Sequence, residues 1–154
     1  MPGAQRTLAA SIERVVDTSG YNVHQLSAKV DSLIETGVKV RLRLAVMSFG
    51  FKYGIPLDAD TVLDLRFLPN PYWDPAMRPY TGKDAAVREF VLGQELAGSF
   101  LDHAERMMRT AVAGYLAEGR RFVTVAVGCT GGKHRSVAIA EELALRLGDL
   151  EDSG

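Results

Sequence analysis

Apolar residues recur at helical spacing in four stretches of this chain. In residues 95–117 they fall on one face of a long predicted helix, and Gly119 then provides a stop signal. Asp84 is a capping residue for a shorter helix that runs to about Leu92. The predicted helices cover residues 23–36, 84–92, 95–117 and 136–147.

Runs of apolar and β-branched residues between these helices predict strands. The run from Val38 to Phe49 first alternates arginine with leucine and then becomes continuously apolar, which is typical of a strand entering a covered sheet. Residues 61–68 and 122–127 predict two more strands. The first twenty residues leave two interpretations open, a helix over residues 8–16 or a strand over residues 12–16.

Strands that alternate with helices predict an α/β fold with a mainly parallel sheet flanked by helices. A chain of 154 residues can bury one core, so we expect a single domain. We place that domain at residues 21–148, after an N-terminal segment (1–20) and before an acidic tail (149–154). Ligands of parallel sheets bind beyond the carboxyl ends of the strands, so the loops that follow the strands are the candidate sites.

One such loop, residues 128–135, lies between the most apolar strand and the last helix, which opens at Ser136. Its three glycines allow a sharp turn that exposes backbone N–H groups, and the helix adds the positive end of its dipole. Lys133, His134 and Arg135 add polar side chains, and Arg135 can bind a phosphate with two parallel hydrogen bonds. The loop therefore predicts an anion site, although its spacing is not that of a Walker A loop. The alternative is a tight turn whose charged residues are merely solvated.

The same loop also fits a second template. Cys129 and Arg135 have the Cys-x5-Arg-Ser spacing of cysteine-dependent phosphatases, in which the thiolate attacks a bound phosphate. Asp74, before a proline, would then be the general acid. Gly128 stands where such enzymes usually carry histidine, and Cys129 can instead be a small buried residue at a strand end. We favour the buried residue, and we predict no catalytic residue.

A Pro-rich segment, residues 69–84, reads PNPYWDPAMRPYTGKD. Its four prolines exclude a regular helix or a central strand, and a long irregular segment in a compact domain is usually functional. Asn70, Tyr72 and Trp73 are candidates to hydrogen-bond or stack on a sugar. The alternative for Trp73 is core packing.

Composition narrows the possible functions. With 47% hydrophobic and 24% charged residues the chain is globular, and a net charge of −1 argues against a chain-wide electrostatic grip on nucleic acid. The single cysteine excludes an internal disulfide and a Cys-based zinc site, and the three histidines lie far apart, so we expect no metal and no cofactor. No apolar stretch approaches the ~18 residues of a membrane span, and no signal peptide is visible. We therefore expect a soluble cytoplasmic protein.

Two local basic stretches are compatible with RNA binding, despite the net charge of the chain. Residues 38–52 and 120–135 contain basic residues and no acidic ones. If both stretches lie at one edge of the sheet, they form a positive face that can bind phosphates, and the alternative is a solvated strand face. The candidate RNA-binding residues are Arg41, Arg43, Arg120 and Lys133.

Three long segments resemble the C-terminal domain of the RapZ/YvcJ family, whose members are called RNase adapter proteins or nucleotide-binding proteins. The segments are SFGFKYGIPLDAD, DLRFLPNPYWDPAMRPYTGKD and VTVAVGCTGGKHRSVAIAEELA. The earlier segment DTSGYNVHQL is similar to the junction between the two domains of that family. The resemblance extends over residues 16–147, most of the chain.

The resemblance implies a non-enzymatic regulatory domain that senses a phosphorylated amino sugar, glucosamine 6-phosphate. It also implies a homo-oligomer that signals through a protein or RNA partner. The residues it implies for the phosphate are Cys129, Thr130, Gly131, Gly132, His134, Arg135 and Ser136, and those for the sugar are Asn70, Tyr72 and Trp73.

The sequence also departs from the family pattern. Tyr72 stands where enterobacterial members carry histidine, and residues 141–154 are acidic where RNA-binding members carry a basic tail. The family's N-terminal P-loop domain is not in this sequence, so nucleotide binding is not expected. An RNA-binding adapter and a cysteine phosphatase stay as alternative functions.

Overall fold

The computed structural model describes residues 11–17 and 42–148 of the chain. Neighbouring strands in these residues are parallel, in the order β1-β2-β4-β3, and helices pack against the sheet. The predicted α/β fold with a parallel sheet flanked by helices is therefore confirmed. The strands are β1 (Ser11–Asp17), β2 (Arg43–Gly50), β3 (Thr61–Asp64) and β4 (Phe122–Cys129), and the helices are α1 (Ala85–Leu92), α2 (Glu95–Glu118) and α3 (Arg135–Leu147).

The strands follow the predicted pattern with shifted boundaries. The strand interpretation of residues 12–16 is confirmed by β1, so the N-terminal segment contributes an edge strand to the sheet. The strand predicted over residues 61–68 ends early, at Asp64, because the Asp64 carboxylate accepts the Arg66 N–H at 2.9 Å and turns the chain. The helix predicted over residues 23–36 lies outside the described residues.

The helix ends follow local sequence signals only in part. α2 ends as predicted before Gly119, whose φ of +89° is readily adopted by glycine. Asp84 precedes α1 as predicted, but its carboxylate accepts the Thr81 N–H at 2.8 Å and makes no capping bond to the helix. Within α2, Met108 is buried in the core and the adjacent Met107 is exposed.

The main core lies between one face of the sheet and the three helices. Removing each large aliphatic side chain in it from water contributes about 1.5–3 kcal/mol to stability. A smaller cluster lies on the opposite face, so residues of both faces are buried, as expected for parallel strands. The main core includes Leu44, Val46, Val123, Val125, Val127, Ile139 and Leu143, and the smaller cluster contains Ala45, Met47, Phe49 and Ala126.

Strands β2, β3 and β4 end side by side at one edge of the sheet. Gly50 of β2 pairs with Cys129 of β4, and Asp64 of β3 pairs with Gly128. The loops that follow these strands therefore leave the sheet together. This edge is where a ligand of a parallel sheet is expected.

Candidate anion-binding site

The loop between β4 and α3 folds back closely against the end of β2. Gly132 has a φ of +73°, and a Cβ there would stand 2.6 Å from the backbone nitrogen of Gly50. A Cβ on Gly50 would meet the carbonyl carbon of Gly131 at the same distance, 2.6 Å. Glycine is therefore required at positions 50 and 132 by this close approach, and at 132 also by the backbone conformation.

Arg135, the first residue of α3, is only 4% exposed. Its Nη1 donates to the carbonyl oxygens of Arg66 at 2.8 Å and Leu68 at 3.0 Å, which fixes the guanidinium. Nη2 lies 3.3 Å from Thr130 Oγ1, and the buried Nε has no hydrogen-bond partner within the described part of the chain. Nε and Nη2 share one edge of the guanidinium, a geometry that suits two oxygens of a phosphate. The solvated-turn alternative is therefore wrong for Arg135.

Cys129 ends β4 within the same loop and is buried, as we predicted. Its Sγ lies 3.2 Å from Ser136 Oγ, and the two groups share a hydrogen bond. Burial by itself raises the pKa of the Cys129 thiol. Hydrogen bonds from the Ser136 hydroxyl and from the N–H groups of Ser136 and Gly132 outweigh burial and hold the pKa below its ordinary value. The positive charge of Arg135 acts in the same direction.

Lys133 and His134 both contact the backbone of the Pro-rich segment. Lys133 Nζ donates to the Arg78 carbonyl oxygen at 2.9 Å, and His134 Nε2 lies 3.2 Å from the same oxygen. Because a carbonyl can only accept, we assign the proton to Nε2. Burial lowers the pKa of His134; the bond to the Arg78 carbonyl opposes this shift, and the charge of Lys133 reinforces it. The described contacts of these side chains thus fasten the loop to the Pro-rich segment.

The Pro-rich segment presents aromatic side chains at the surface. Asn70 Oδ1 accepts the Tyr72 N–H at 3.1 Å and caps a 3-10 turn, Pro71–Trp73. The rings of Tyr72 and Trp73 meet edge-on with centroids 5.3 Å apart, and the Arg78 guanidinium lies 4.9 Å from the Tyr72 ring centroid. Trp73 is 74% exposed, so the core-packing alternative for it is wrong. The carbonyl of Arg78 connects these rings to the loop.

Three of the four candidate RNA-binding residues lie in the described part of the chain, and these three do not lie together. Arg43 is only 6% exposed, and Arg41 lies outside the described residues. Arg120 precedes the amino end of β4, where it forms an ion pair with Asp60 at 2.5 Å. Lys133 follows the opposite end of this strand, roughly 25 Å away at about 3.3 Å per residue. Arg43, Arg120 and Lys133 therefore do not assemble the expected positive edge.

An ion pair at the end of β3 escaped the sequence analysis. Arg66 donates from Nε to Asp64 Oδ1 at 2.9 Å and from Nη2 to Oδ2 at 2.7 Å, and its guanidinium lies 3.8 Å from the Phe51 ring centroid. The hydrogen bond from Arg66 lowers the pKa of Asp64 and outweighs the opposing effect of burial. The Asp-Leu-Arg sequence was a visible signal for this ion pair, because its charged residues are two positions apart. The contact between Arg66 and the Phe51 ring depends on the fold and had no such signal.

Residues 11–17 and 42–148 contain neither a metal-binding cluster nor a membrane-spanning helix. No group of His, Cys, Asp or Glu there could hold a metal ion. No helix in those ranges is long and apolar enough to cross a membrane.

The fold and the loop define an α/β domain with an anion-binding geometry at the carboxyl edge of its sheet. Residues 42–152 match the model of the RapZ C-terminal domain, and the chain belongs to that family. It is 52% identical over 147 residues to a nucleotide-binding protein of a Nocardioides species, a match that covers 96% of this chain and 49% of the relative. It is 54% identical over 142 residues to a nucleotide-binding protein of Streptomyces coelicolor, covering 92% of this chain and 48% of the relative. It is 53% identical over 144 residues to a nucleotide-binding protein of Thermobifida fusca, covering 94% of this chain and 49% of the relative. The chain thus spans about half the length of the curated relatives it matches.

Proposed function

We propose that this domain is a non-enzymatic sensor of a phosphorylated amino sugar, such as glucosamine 6-phosphate. One observation carries the proposal. Arg135 is buried and fixed by two carbonyl oxygens, yet on its Nε–Nη2 edge the Nε donor has no partner among residues 11–17 and 42–148. A buried donor without a partner is costly, and a phosphate oxygen would satisfy it. The N–H groups at the start of α3 add donors and a positive dipole end for the same anion.

The sugar would lie toward the Pro-rich segment in this proposal. Tyr72 and Trp73 present exposed ring faces, which suit stacking on a sugar. Asn70 Oδ1 already accepts the Tyr72 N–H, so the side-chain NH₂ group of Asn70 is the part that would donate to a sugar hydroxyl. Tyr72 offers a phenolic hydroxyl in place of the family's histidine.

The connection between loop and segment suggests how occupancy is signalled. Lys133 and His134 both hold the Arg78 carbonyl, so an anion that shifts the loop also shifts the exposed aromatic residues. A ligand changes such an equilibrium only by binding one arrangement more tightly than the other. We propose that a regulatory protein or an RNA reads this change, that the domain self-associates, and that it works in the cytoplasm.

Calorimetric titration with glucosamine 6-phosphate tests the proposal, with inorganic phosphate and glucosamine as comparison ligands at equal ionic strength. The phosphosugar should bind most tightly. Arg135→Lys keeps a positive charge but removes the two-donor edge, and affinity should fall about tenfold, since a hydrogen bond to a charged group contributes ~1.5–3 kcal/mol. Arg106→Lys, on the exposed face of α2, is the matched control and should bind normally. Equal binding of phosphosugar and phosphate would refute sugar sensing.

A nucleotide arm belongs in the same titration, because the relatives' names refer to nucleotide binding. A nucleoside triphosphate also carries a phosphate that fits the loop. We expect it to bind more weakly than the phosphosugar. Tighter binding of the nucleotide would reassign the ligand of this site.

The state of Cys129 favours a cysteine phosphatase as a second candidate. The Ser136 hydroxyl at 3.2 Å and the lowered pKa of the thiol are what such a nucleophile needs. Hydrolysis of an aryl phosphate by the parent protein and by Cys129→Ser separates the candidates. We expect no turnover above background in either protein. Turnover that is lost in Cys129→Ser would establish the phosphatase.

A further inference from the structure

Two buried polar groups beside Cys129 lack a partner within the described part of the chain. One is Arg135 Nε, and the other is the hydroxyl of Ser48, which is fully buried in β2. Ser48 pairs with Val127, and Gly50, two residues further on, pairs with Cys129. Side chains two residues apart point to the same face of a strand, so Ser48 and Cys129 lie on the same face of adjacent strands.

Unpartnered buried donors indicate that something else completes this region. A water or an oxygen of a bound group would suit both the Ser48 hydroxyl and the Arg135 guanidinium. Oxidation of the neighbouring sulfur would supply such an oxygen. The hydrogen bond between Cys129 Sγ and Ser136 Oγ, 3.2 Å long, holds the sulfur in place for that reaction.

We propose that Cys129 is a site of reversible oxidation by hydrogen peroxide, and that an anion bound by the loop blocks this oxidation. The Cys129 thiolate attacks one peroxide oxygen, the O–O bond breaks, and an S–O bond forms. Hydroxide leaves and takes up a proton to become water. The sulfur is oxidised by two electrons to a sulfenic acid and the peroxide is reduced. A small thiol such as dithiothreitol then attacks the sulfenic sulfur, releases water and restores the cysteine through a disulfide.

The burial of Cys129 favours a small oxidant over a bulky one. The residue is only 2% exposed, so a reagent must approach it through the anion site or during a brief opening. The lowered pKa of the thiol supplies the thiolate that reacts with peroxide. The added oxygen carries negative charge toward Arg135 and the N–H groups of the loop, and a phosphate needs those same donors. Oxidation and anion binding therefore exclude each other.

The test measures the rate of peroxide oxidation of the full chain, trapped by dimedone and detected as the mass of the adduct. Because the chain has one cysteine, every adduct reports Cys129. Oxidation should be faster than that of free cysteine at pH 7, saturating inorganic phosphate should remove most of the rate, and dithiothreitol should restore the untrapped product. Ser136→Ala should slow oxidation about tenfold, since a hydrogen bond to a charged group changes an equilibrium by about that factor. Ser99→Ala, on the exposed face of α2, is the matched control and should react at the parent rate.

The protection arm rests on the anion binding proposed above, whereas the reactivity of the thiol does not. Oxidation no faster than that of free cysteine would overturn the proposal, and so would fast oxidation that phosphate leaves unchanged. The measurement with and without phosphate uses only the parent protein, so it tests the proposal even if Ser136→Ala fails to fold. The two proposals can also fail separately. If calorimetry shows that glucosamine 6-phosphate binds but the thiol does not react with peroxide, the sensor function is supported and the oxidation site is refuted.

Discussion

The arginine side chains at the two ends of β4 differ in their hydrogen-bond partners and in their burial. At the amino end, Asp60 accepts the Thr124 N–H at 2.8 Å and pairs with Arg120, whose guanidinium lies 4.7 Å from the Tyr115 ring centroid. At the carboxyl end, Arg135 is buried more deeply, and its Nε has no partner among the residues that the structure describes. Both ends contain an arginine beside the same strand, but the arginine at the amino end forms an ion pair with a carboxylate, and the one at the carboxyl end is held by carbonyl oxygens with one donor left over.

This difference separates a structural arginine, Arg120, from Arg135, which we propose binds the anion. A charged group whose hydrogen bonds are complete stabilises the fold, and a ligand would have to displace a partner to reach it. A buried group with an open donor favours a ligand that completes it. The amino end of β4 should therefore control stability, and the carboxyl end should control binding.

The largest effect is expected from Gly132→Ala at the carboxyl end. Its positive φ and its close approach to Gly50 leave no room for a Cβ. Left-handed strain alone costs about 1–2 kcal/mol, and the displaced loop should lose most of its phosphosugar affinity. Chemical unfolding and calorimetry measure the two quantities. Gly131→Ala has open space at its Cβ and should be nearly as stable as the parent. Normal binding by Gly132→Ala would mean that the loop is not the anion site.

Asp60→Ala should lower stability and leave binding intact. It removes the acceptor of the Thr124 N–H and the partner of Arg120, so the free energy of unfolding should fall by about 1–3 kcal/mol. Asp102→Ala removes a more exposed ion pair with Arg146 and should cost about 0–1 kcal/mol. A large loss of phosphosugar affinity in Asp60→Ala would break the division between the two ends.

A smaller effect should follow from His134 as the pH falls. Because burial lowers the pKa of His134 in the folded state, the unfolded chain binds the proton more readily. Stability is then greatest above the unfolded pKa of about 6.5 and falls as the pH drops below it. Urea unfolding between pH 7 and pH 5 measures this slope, which His134→Gln should flatten. Ser99→Ala, on the exposed face of α2, does not change the number of titratable groups and should keep the parent slope. An unchanged slope in His134→Gln would contradict the assignment.

The smallest effect is expected for RNA binding. The basic residues are dispersed, so binding should be weak at physiological salt, and its salt dependence should show few phosphate contacts. Arg120→Ala should leave that dependence unchanged, because Asp60 already pairs with this arginine. Lys133→Ala should reduce the salt slope by about 1 at most. Filter binding at several salt concentrations tests both. Tight, salt-insensitive binding would show that RNA is recognised by other means.

The local features of this domain were predictable, and the long-range contacts were not. Apolar periodicity located α2 and β4, and the glycines before Ser136 located the loop. The burial of Arg135 was not predictable, because its partners are the carbonyls of residues 66 and 68, which carry no side-chain signal. The choice between an exposed and a core position for Trp73 could not be made from the sequence for a related reason. Its exposure depends on how the prolines direct the segment, not on the character of the indole.

The bonds from Lys133 and His134 to the carbonyl of Arg78 affect how this domain would respond to mutational mapping. Alanine substitution removes side chains and leaves every backbone acceptor in place. An alanine scan across residues 71–78 would therefore preserve the bridge between the segment and the loop. Arg78→Ala would remove contacts within the segment, namely the hydrogen bond from Arg78 Nε to the Tyr72 carbonyl oxygen at 2.7 Å and the contact with the Tyr72 ring. The scan would assign the contact between loop and segment to Lys133 and His134 alone, although its acceptor is a backbone carbonyl of the Pro-rich segment. Replacing the amide after Arg78 by an ester would weaken that carbonyl as an acceptor, but it would also open the ring of Pro79, because an ester oxygen cannot close a pyrrolidine. The ester therefore has to be compared with a Pro79→Ala chain, in which the ring is already absent.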